Sequence, residues 1–473
     1  MNYLNTISTI SALTAAVTLG ACSSQPFAPA ATTAQPTAAP TPIGARGTVR
    51  LAPVRIGLYN PAELAALVKT GVEGPQMLRL LDNKLPCSVN VHAMQYHTVG
   101  GRGEPTWASG ALMTPSGGPG CSGPRPVVVY AHGTYPNRHN TVIDMARNYN
   151  DEPHMLAAMF AAQGFIVVAP NYAGLEGSPL PYHPYHEADQ QSKEMIDALQ
   201  AARSVFATLP TPVQASDKLF LTGYSQGGFV AMATHRAMQA AGMKVAASAP
   251  LSGAYALALY GDEIFKGKVG SNLVVMLPQL VNSFQQSYGT LYRQPSDMYS
   301  EPYAQTIEKM FPADNFLTLI SSGRLPPFLF SKTAPQAPAG SAASLQPALN
   351  AMTPPVTGTP RDALYARMFG EPHLVNNPFR LAYLMDEAAF PDGADPAKRT
   401  PGLANPGARH PFRQALQRND LRDWTPTTPV LICGSTEDPL VPYNLNGQVM
   451  ADRWATLQPG LVTAIDMGRP SGP

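Results

Sequence analysis

Residues 219–238 read LFLTGYSQGGFVAMATHRAM, an apolar run that breaks at Gly223-Tyr224-Ser225-Gln226-Gly227-Gly228 into a helical pattern. A serine hydroxyl presented for attack must stand on a strand-to-helix turn too sharp for bulky flanking residues, so glycines belong two before and two after it. Gly223 and Gly227 occupy those places and mark Ser225 as the candidate nucleophile. The same five residues also describe an ordinary glycine-rich turn; the strand pattern before and the helix pattern after favour catalysis. Such a hydroxyl attacks well only when a histidine takes its proton, and that histidine needs a carboxylate to fix its tautomer.

The surrounding pattern supplies a platform for this turn. Residues 89–113 alternate like two antiparallel strands turning at GGRGEP. Two short unbroken apolar runs follow, PVVVYA at 126–131 and FIVVAP at 165–170, the pattern of strands covered on both faces. Between them EPHMLAAMFAAQG predicts a helix closed by Gly164, and a second helix is predicted over about 189–208. Strands are also predicted at 245–250, 428–434 and 461–466. This alternation predicts an α/β fold, a mostly parallel doubly wound sheet with helices on both faces. It stops between residues 251 and 423, which read as an insertion over the carboxyl ends of the strands, a helical cap. The expected organisation is a core over 48–250, the cap over 251–423 and the last strands over 424–473.

The chain has 473 residues, 13% of them charged, and a formal net charge of +1, so no basic surface for nucleic acid is indicated. A monomer is expected. Residues 1–22 resemble a lipoprotein signal peptide: a small-residue apolar stretch ends in Leu19-Gly20-Ala21-Cys22, which is similar to the bacterial lipoprotein cleavage box. That resemblance implies lipidation of Cys22, and Ser23 after it is similar to the residue of lipoproteins sent to the outer membrane of a Gram-negative bacterium. No Lys or Arg precedes Arg46, a departure from the usual signal. Residues 23–47, rich in Ala, Pro and Thr, read as a disordered tether. Export permits disulfides, and Cys87 with Cys121, flanking a strand-rich segment, is the expected bridge. Cys433 then remains, either a buried thiol or a cysteine with its partner elsewhere.

Taken together, VVVYAHGT, FIVVAPNYAGLEGS, GYSQGG and PVLICGSTEDPLVP, in that order, resemble the α/β-hydrolase superfamily, specifically exported bacterial lipases and esterases related to secretory lipases. The resemblance implies carboxylic ester hydrolysis through an acyl-serine intermediate, with no cofactor and no metal, on lipid or other acyl esters. It implies oxyanion donors at the backbone N–H groups of Gln226 and Thr134, because the oxygen of an attacked carbonyl develops negative charge. Gly133 would let that turn approach closely, and His132 would be a structural histidine behind it. Asn171-Tyr172 is similar to the family's strand-end turn. The family order is Ser, acid, His, which implies Asp438 as the acid, with its neighbour Glu437 the weaker candidate.

The histidine does not follow. His410 is the last in the chain, upstream of Asp438. Either the product is truncated or frameshifted, or an upstream histidine substitutes; truncation is favoured because the fold's last helix is missing too. As written, the chain is expected to hydrolyse esters only at trace level, since losing the histidine of such a triad costs about 10⁶ in turnover. A serine peptidase of the same fold and a catalytically dead remnant are the competing readings. His183 and His186 in LPYHPYHEAD read as a loop over the pocket rim rather than a metal site, because Pro184 interrupts any helix that would align them. His235 reads as surface or packing.

Overall fold

Apolar side chains at every position require cover on both faces, and in the computed structural model the two unbroken runs become central strands with that cover. The structure describes residues 44–146, 151–270, 272–313 and 315–468. Cys22, the signal segment and most of the tether lie outside the described residues.

The strands are β1 (Val49–Tyr59), β2 (Ser88–Val99), β3 (Pro105–Ser116), β4 (Pro124–Ala131), β5 (Ile166–Pro170), β6 (Gln214–Tyr224), β7 (Ala247–Leu251), β8 (Phe328–Phe330), β9 (His373–Val375), β10 (Val430–Gly434) and β11 (Val462–Asp466). Nine of them form one sheet in the order β1-β2-β3-β5-β4-β6-β7-β10-β11. β1 to β3 pair antiparallel and join β5 antiparallel. From β5 to β11 every pairing is parallel. Side chains alternate between the faces: Val127 and Val129 of β4 enter one core with Leu219 and Leu221, while Val128 and Tyr130 enter the other with Val167. Each fully buried Val or Leu is worth about 1.5–3 kcal/mol, so the carboxyl ends of β4, β6 and β10 stand on a stiff base.

The helix Ala188–Val205 covers the first face, its N-terminus capped by the Glu187 carboxylate, which accepts from the Gln190 N–H. The elbow helix Gln226–Ala240 packs beside it. Between β7 and β10 run the helices Leu257–Phe265, Leu273–Tyr288, Asn377–Ala389 and Pro411–Arg418, with the two-stranded parallel pair β8–β9. Leu257, Phe265 and Leu273 belong to the same buried cluster as Leu219 and Phe229, so this segment is packed onto the sheet. A buried Arg413 guanidinium ties its helices together by bonding Asp262 and Asp386.

Three sequence expectations change here, and a fourth narrows to one of its alternatives. The tether ends before residue 47: Arg46 bonds the buried Asp197, and the Gly47 N–H donates to His97, because β1, unseen in the sequence pattern, docks on β2 directly afterwards. The helix expected at 152–164 is α-helical only over Glu152–Met155, then widens to a π-turn over Leu156–Phe160 and tightens to 3₁₀ over Ala161–Gln163. Gly164 closes it at φ +93°. His183 and His186 are buried rather than on a rim. His235 is buried packing, with Nδ1 2.8 Å from the Ser248 hydroxyl and Nε2 3.0 Å from that of Thr428.

Candidate active site

The turn after β6 holds Ser225 at φ +57° and ψ −120°, a backbone conformation L-residues rarely adopt. Its N–H donates to the carbonyl of Leu251, and its own carbonyl accepts from Gly228 and Phe229 as the elbow helix begins. Glycines make the turn possible. A β-carbon on Gly223 would lie 2.4 Å from the Gly227 carbonyl oxygen, and one on Gly228 would lie 2.2 Å from that of Leu251. Gly228 is thus a third obligatory glycine, visible in the motif as its last letter. Gly133 differs from expectation: a β-carbon there would be 3.4 Å from the nearest atom, so close approach does not require a glycine.

Gln226 is the first residue of the elbow helix, whose opening N–H groups have no carbonyl one turn back, so its backbone N–H is available to an oxyanion. Its buried side chain is fixed by His183. The Ala173 carbonyl can only accept, so His183 donates to it from Nδ1 at 3.0 Å, and Nε2 therefore accepts from the Gln226 amide at 2.7 Å. Burial pushes the His183 pKa down to about 3, keeping the ring neutral.

On the neighbouring strand end, His132 stacks between Tyr135 at 4.0 Å and Tyr172 at 4.1 Å. Its nitrogens lie 2.6 Å from the Gly133 carbonyl oxygen and 3.2 Å from that of Asn171. Burial lowers its pKa. Tyr172 hydrogen-bonds the His132 carbonyl, and the Asn171 amide spans Ser109, Thr141 and Val142. Glu152, which sequence reasoning passed over, accepts the Gly133 N–H at 3.1 Å and the Tyr130 hydroxyl at 2.7 Å. With that N–H engaged, the next one along, Thr134, is the donor this loop has to offer. The Thr134 hydroxyl lies 2.9 Å from that of Tyr185.

Beyond β10, Asp438 Oδ1 accepts from the N–H groups of Leu440 and Val441 at 2.8 and 3.0 Å, while Oδ2 makes no hydrogen bond among the described residues. Burial first, then the nearby Asp438 charge, raises the pKa of Tyr224, the residue before Ser225. Glu437 is exposed and lies beside Arg361. Among the described residues no histidine hydrogen-bonds Ser225.

Ser225 and Gln226 open on a cavity of about 50 Å³ walled by Leu257, Ile264, Leu273, Leu277 and Leu280 of the inserted segment and by Leu440 and Val441 beyond Asp438. Leu273, Met276, Leu277 and Leu280 recur at helical spacing, so one face of a single helix lines the cavity at Ser225. Tyr185 and His186 also line it, from the loop expected over the pocket; its burial is what brings them to Ser225. Cys87 and Cys121 are joined, with Cα atoms 5.5 Å apart, and Cys433 is a free, half-buried thiol.

A nine-stranded sheet with a strained serine at a strand-to-helix turn defines an α/β-hydrolase. Residues 149–318 match the family model for secretory lipases. The fold superposes on the rice cell wall degrading esterase LipA from Xanthomonas oryzae with a TM-score of 0.67 at 27% identity, covering 90% of this chain and 92% of that one. A Legionella pneumophila protein described as a hydrolase shares the fold at 19% identity and a TM-score of 0.61, over 88% and 91% of the two chains. No curated protein sequence matches. The fold is that of an α/β-hydrolase, and these matches support a carboxylic ester hydrolase of the lipase and esterase group. Among the described residues no helix is long and apolar enough to cross a membrane.

Proposed function

We propose that this protein is a serine esterase in which Ser225 Oγ attacks the ester carbonyl and forms an acyl-enzyme that water then hydrolyses. The observation carrying this reading is the placement of a strained Ser225, followed by the free N–H of a helix start, inside an apolar cavity. The Gln226 and Thr134 N–H groups would receive the oxyanion, and Asp438, with Oδ2 unengaged, would orient the histidine that accepts the Ser225 proton. His186 shares the cavity, but burial pushes its pKa down to about 3, so it is a poor proton acceptor and the base is left unassigned.

The walls fit acyl groups, and the space beside Ser225, about 50 Å³, is small. Short acyl esters therefore fit better than long-chain lipids, and the apolar helix Leu273–Tyr288 serves as the cap. LipA is described as a rice cell wall degrading esterase, which makes esters of the plant cell wall a substrate class to include. The secretory family match supports export, and we infer a monomer held at the outer membrane through Cys22; loss of lipid labelling in Cys22→Ala would test the anchor. Hydrolysis of p-nitrophenyl acetate and butyrate in preference to palmitate, abolished in Ser225→Ala, is the expected result. The absence of a hydrogen-bonded histidine favours one competing reading, a binding remnant. Failure of Ser225 to react with a fluorophosphonate in the full-length chain would support it and count against the esterase.

A further inference from the structure

Of the polar side chains lining the Ser225 cavity, three are already committed within the protein. Tyr185 bonds Thr134, Tyr260 donates to the Leu440 carbonyl, and the Gln226 amide donates to His183. His186 is the exception. It is 7% exposed, yet among the described residues its ring makes no hydrogen bond, and Nδ1 is sealed from solvent without a partner. The ring is wedged between Tyr185, 4.4 Å away edge-on, and Phe229 of the elbow helix at 4.6 Å. Its backbone sits at φ +55°.

Each of these features costs free energy: a strained non-glycine backbone about 1–3 kcal/mol, and an unsatisfied buried polar atom about 1–3 kcal/mol. A leucine in the same place would remove the second cost and match the walls around it. A neutral imidazole has one N–H donor and one lone pair. Burying an unsatisfied lone pair is more readily tolerated than orphaning an N–H, so the proton belongs on Nε2, the nitrogen left to the cavity. Burial, and then the neighbouring His183, disfavours protonation of the ring, so what the cavity meets is a neutral donor.

We propose that His186 Nε2–H is a substrate-recognition donor, and that the esters this cavity prefers are short ones carrying a second, neutral oxygen on the buried chain: a hydroxyl, ether or carbonyl. The assignment rests on the esterase reading of the same site. A carboxylate would gain little from a neutral donor in an apolar wall and lose its hydration, so charged chains are excluded. The recognised oxygen can belong to the acyl or to the alcohol side of the ester, and the test separates the two.

Binding is measured by NMR titration on the full chain carrying Ser225→Ala, which retains the cavity and cannot turn substrate over. On the acyl side, methyl 3-hydroxybutanoate is compared with its isostere methyl 3-methylbutanoate; on the alcohol side, 2-methoxyethyl acetate is compared with butyl acetate. We expect the oxygen-bearing member of one pair to bind about 5–10-fold tighter, as one neutral hydrogen bond provides. That preference disappears with His186→Leu and survives in part with His186→Gln, which keeps a donor and stands in should the leucine variant misfold. Equal binding within both pairs, no saturable binding by any of the four esters, or a preference that persists in His186→Leu overturns the proposal. Hydrolysis by the chain with Ser225 intact is read separately. Selective binding without hydrolysis would sink the esterase mechanism and leave His186 recognition standing.

Discussion

A β-carbon built on Gly227 would lie 1.8 Å from the carbonyl oxygen of Ala131, the last residue of β4. The elbow helix therefore sits directly on the strand end that carries the Gly133-Thr134 loop, backbone against backbone. Gly227→Ala must push one apart from the other and should destabilise by about 3 kcal/mol or more, seen as a large drop in melting temperature. Gly133→Ala, with 3.4 Å to its nearest neighbour, should cost less than about 1 kcal/mol. Similar losses in both would show that the elbow is looser than described.

Strain at Ser225 separates stability from activity. At φ +57° a glycine is unstrained, whereas an alanine keeps the β-carbon clash. Ser225→Gly and Ser225→Ala should both abolish hydrolysis, with the glycine variant about 1 kcal/mol the more stable in urea unfolding. Equal stabilities would remove the argument for strain.

The two adjacent carboxylates should behave differently. In a chain that supplies the histidine Asp438 would orient, Asp438→Asn should lower kcat by about 10⁴, because only an anionic acceptor fixes the tautomer of the histidine that takes the serine proton. The trace turnover of the chain as written should not change. Glu437→Gln, which loses one exposed contact with Arg361, should change kcat within about twofold. A reversed ranking would move the acid to Glu437.

Glu194 is fully buried, accepting hydrogen bonds from Tyr96 and Gln190, and burial pushes its pKa up to about 7 from an ordinary 4.5. Between those values the folded chain holds a proton that the unfolded chain releases. The stability this gives is complete below about pH 4.5 and is lost as pH rises through about 7. Relative to Glu194→Gln, in which other groups titrate alike, the native protein should lose about 3 kcal/mol of unfolding free energy between pH 4.5 and 7.5. A difference that does not vary with pH would rule this out.

The Cys87–Cys121 bridge closes a loop of 34 residues in sequence separation. Replacing both with alanine should cost about 3–4 kcal/mol by the loop-entropy relation. Chemical denaturation of the oxidised native chain and the double variant would measure it, and equal midpoints would show that the bridge contributes nothing.

Much of this molecule was legible before folding. Unbroken apolar runs required a strand with two covered faces, and the GYSQGG glycines required a turn that projects Ser225. Both are demands of local sterics and burial, and local letters carry them. β1 was missed because an edge strand with one exposed face, interrupted by Pro53 and Gly57, lacks a clean period. Asp438 could be placed by its position after β10, but only the fold shows which of its oxygens is engaged. Tertiary structure alone decided that Gly228 is obligatory and Gly133 is not, since both answers depend on backbone atoms far away in sequence. It also decided that Glu152 holds the Gly133-Thr134 loop and that, among the described residues, His186 has no hydrogen-bond partner beside Ser225. Hydrogen-bond satisfaction is a property of what surrounds a side chain, and for a residue on a connecting loop the surroundings are chosen by the packing of the sheet, the elbow helix and the cap together.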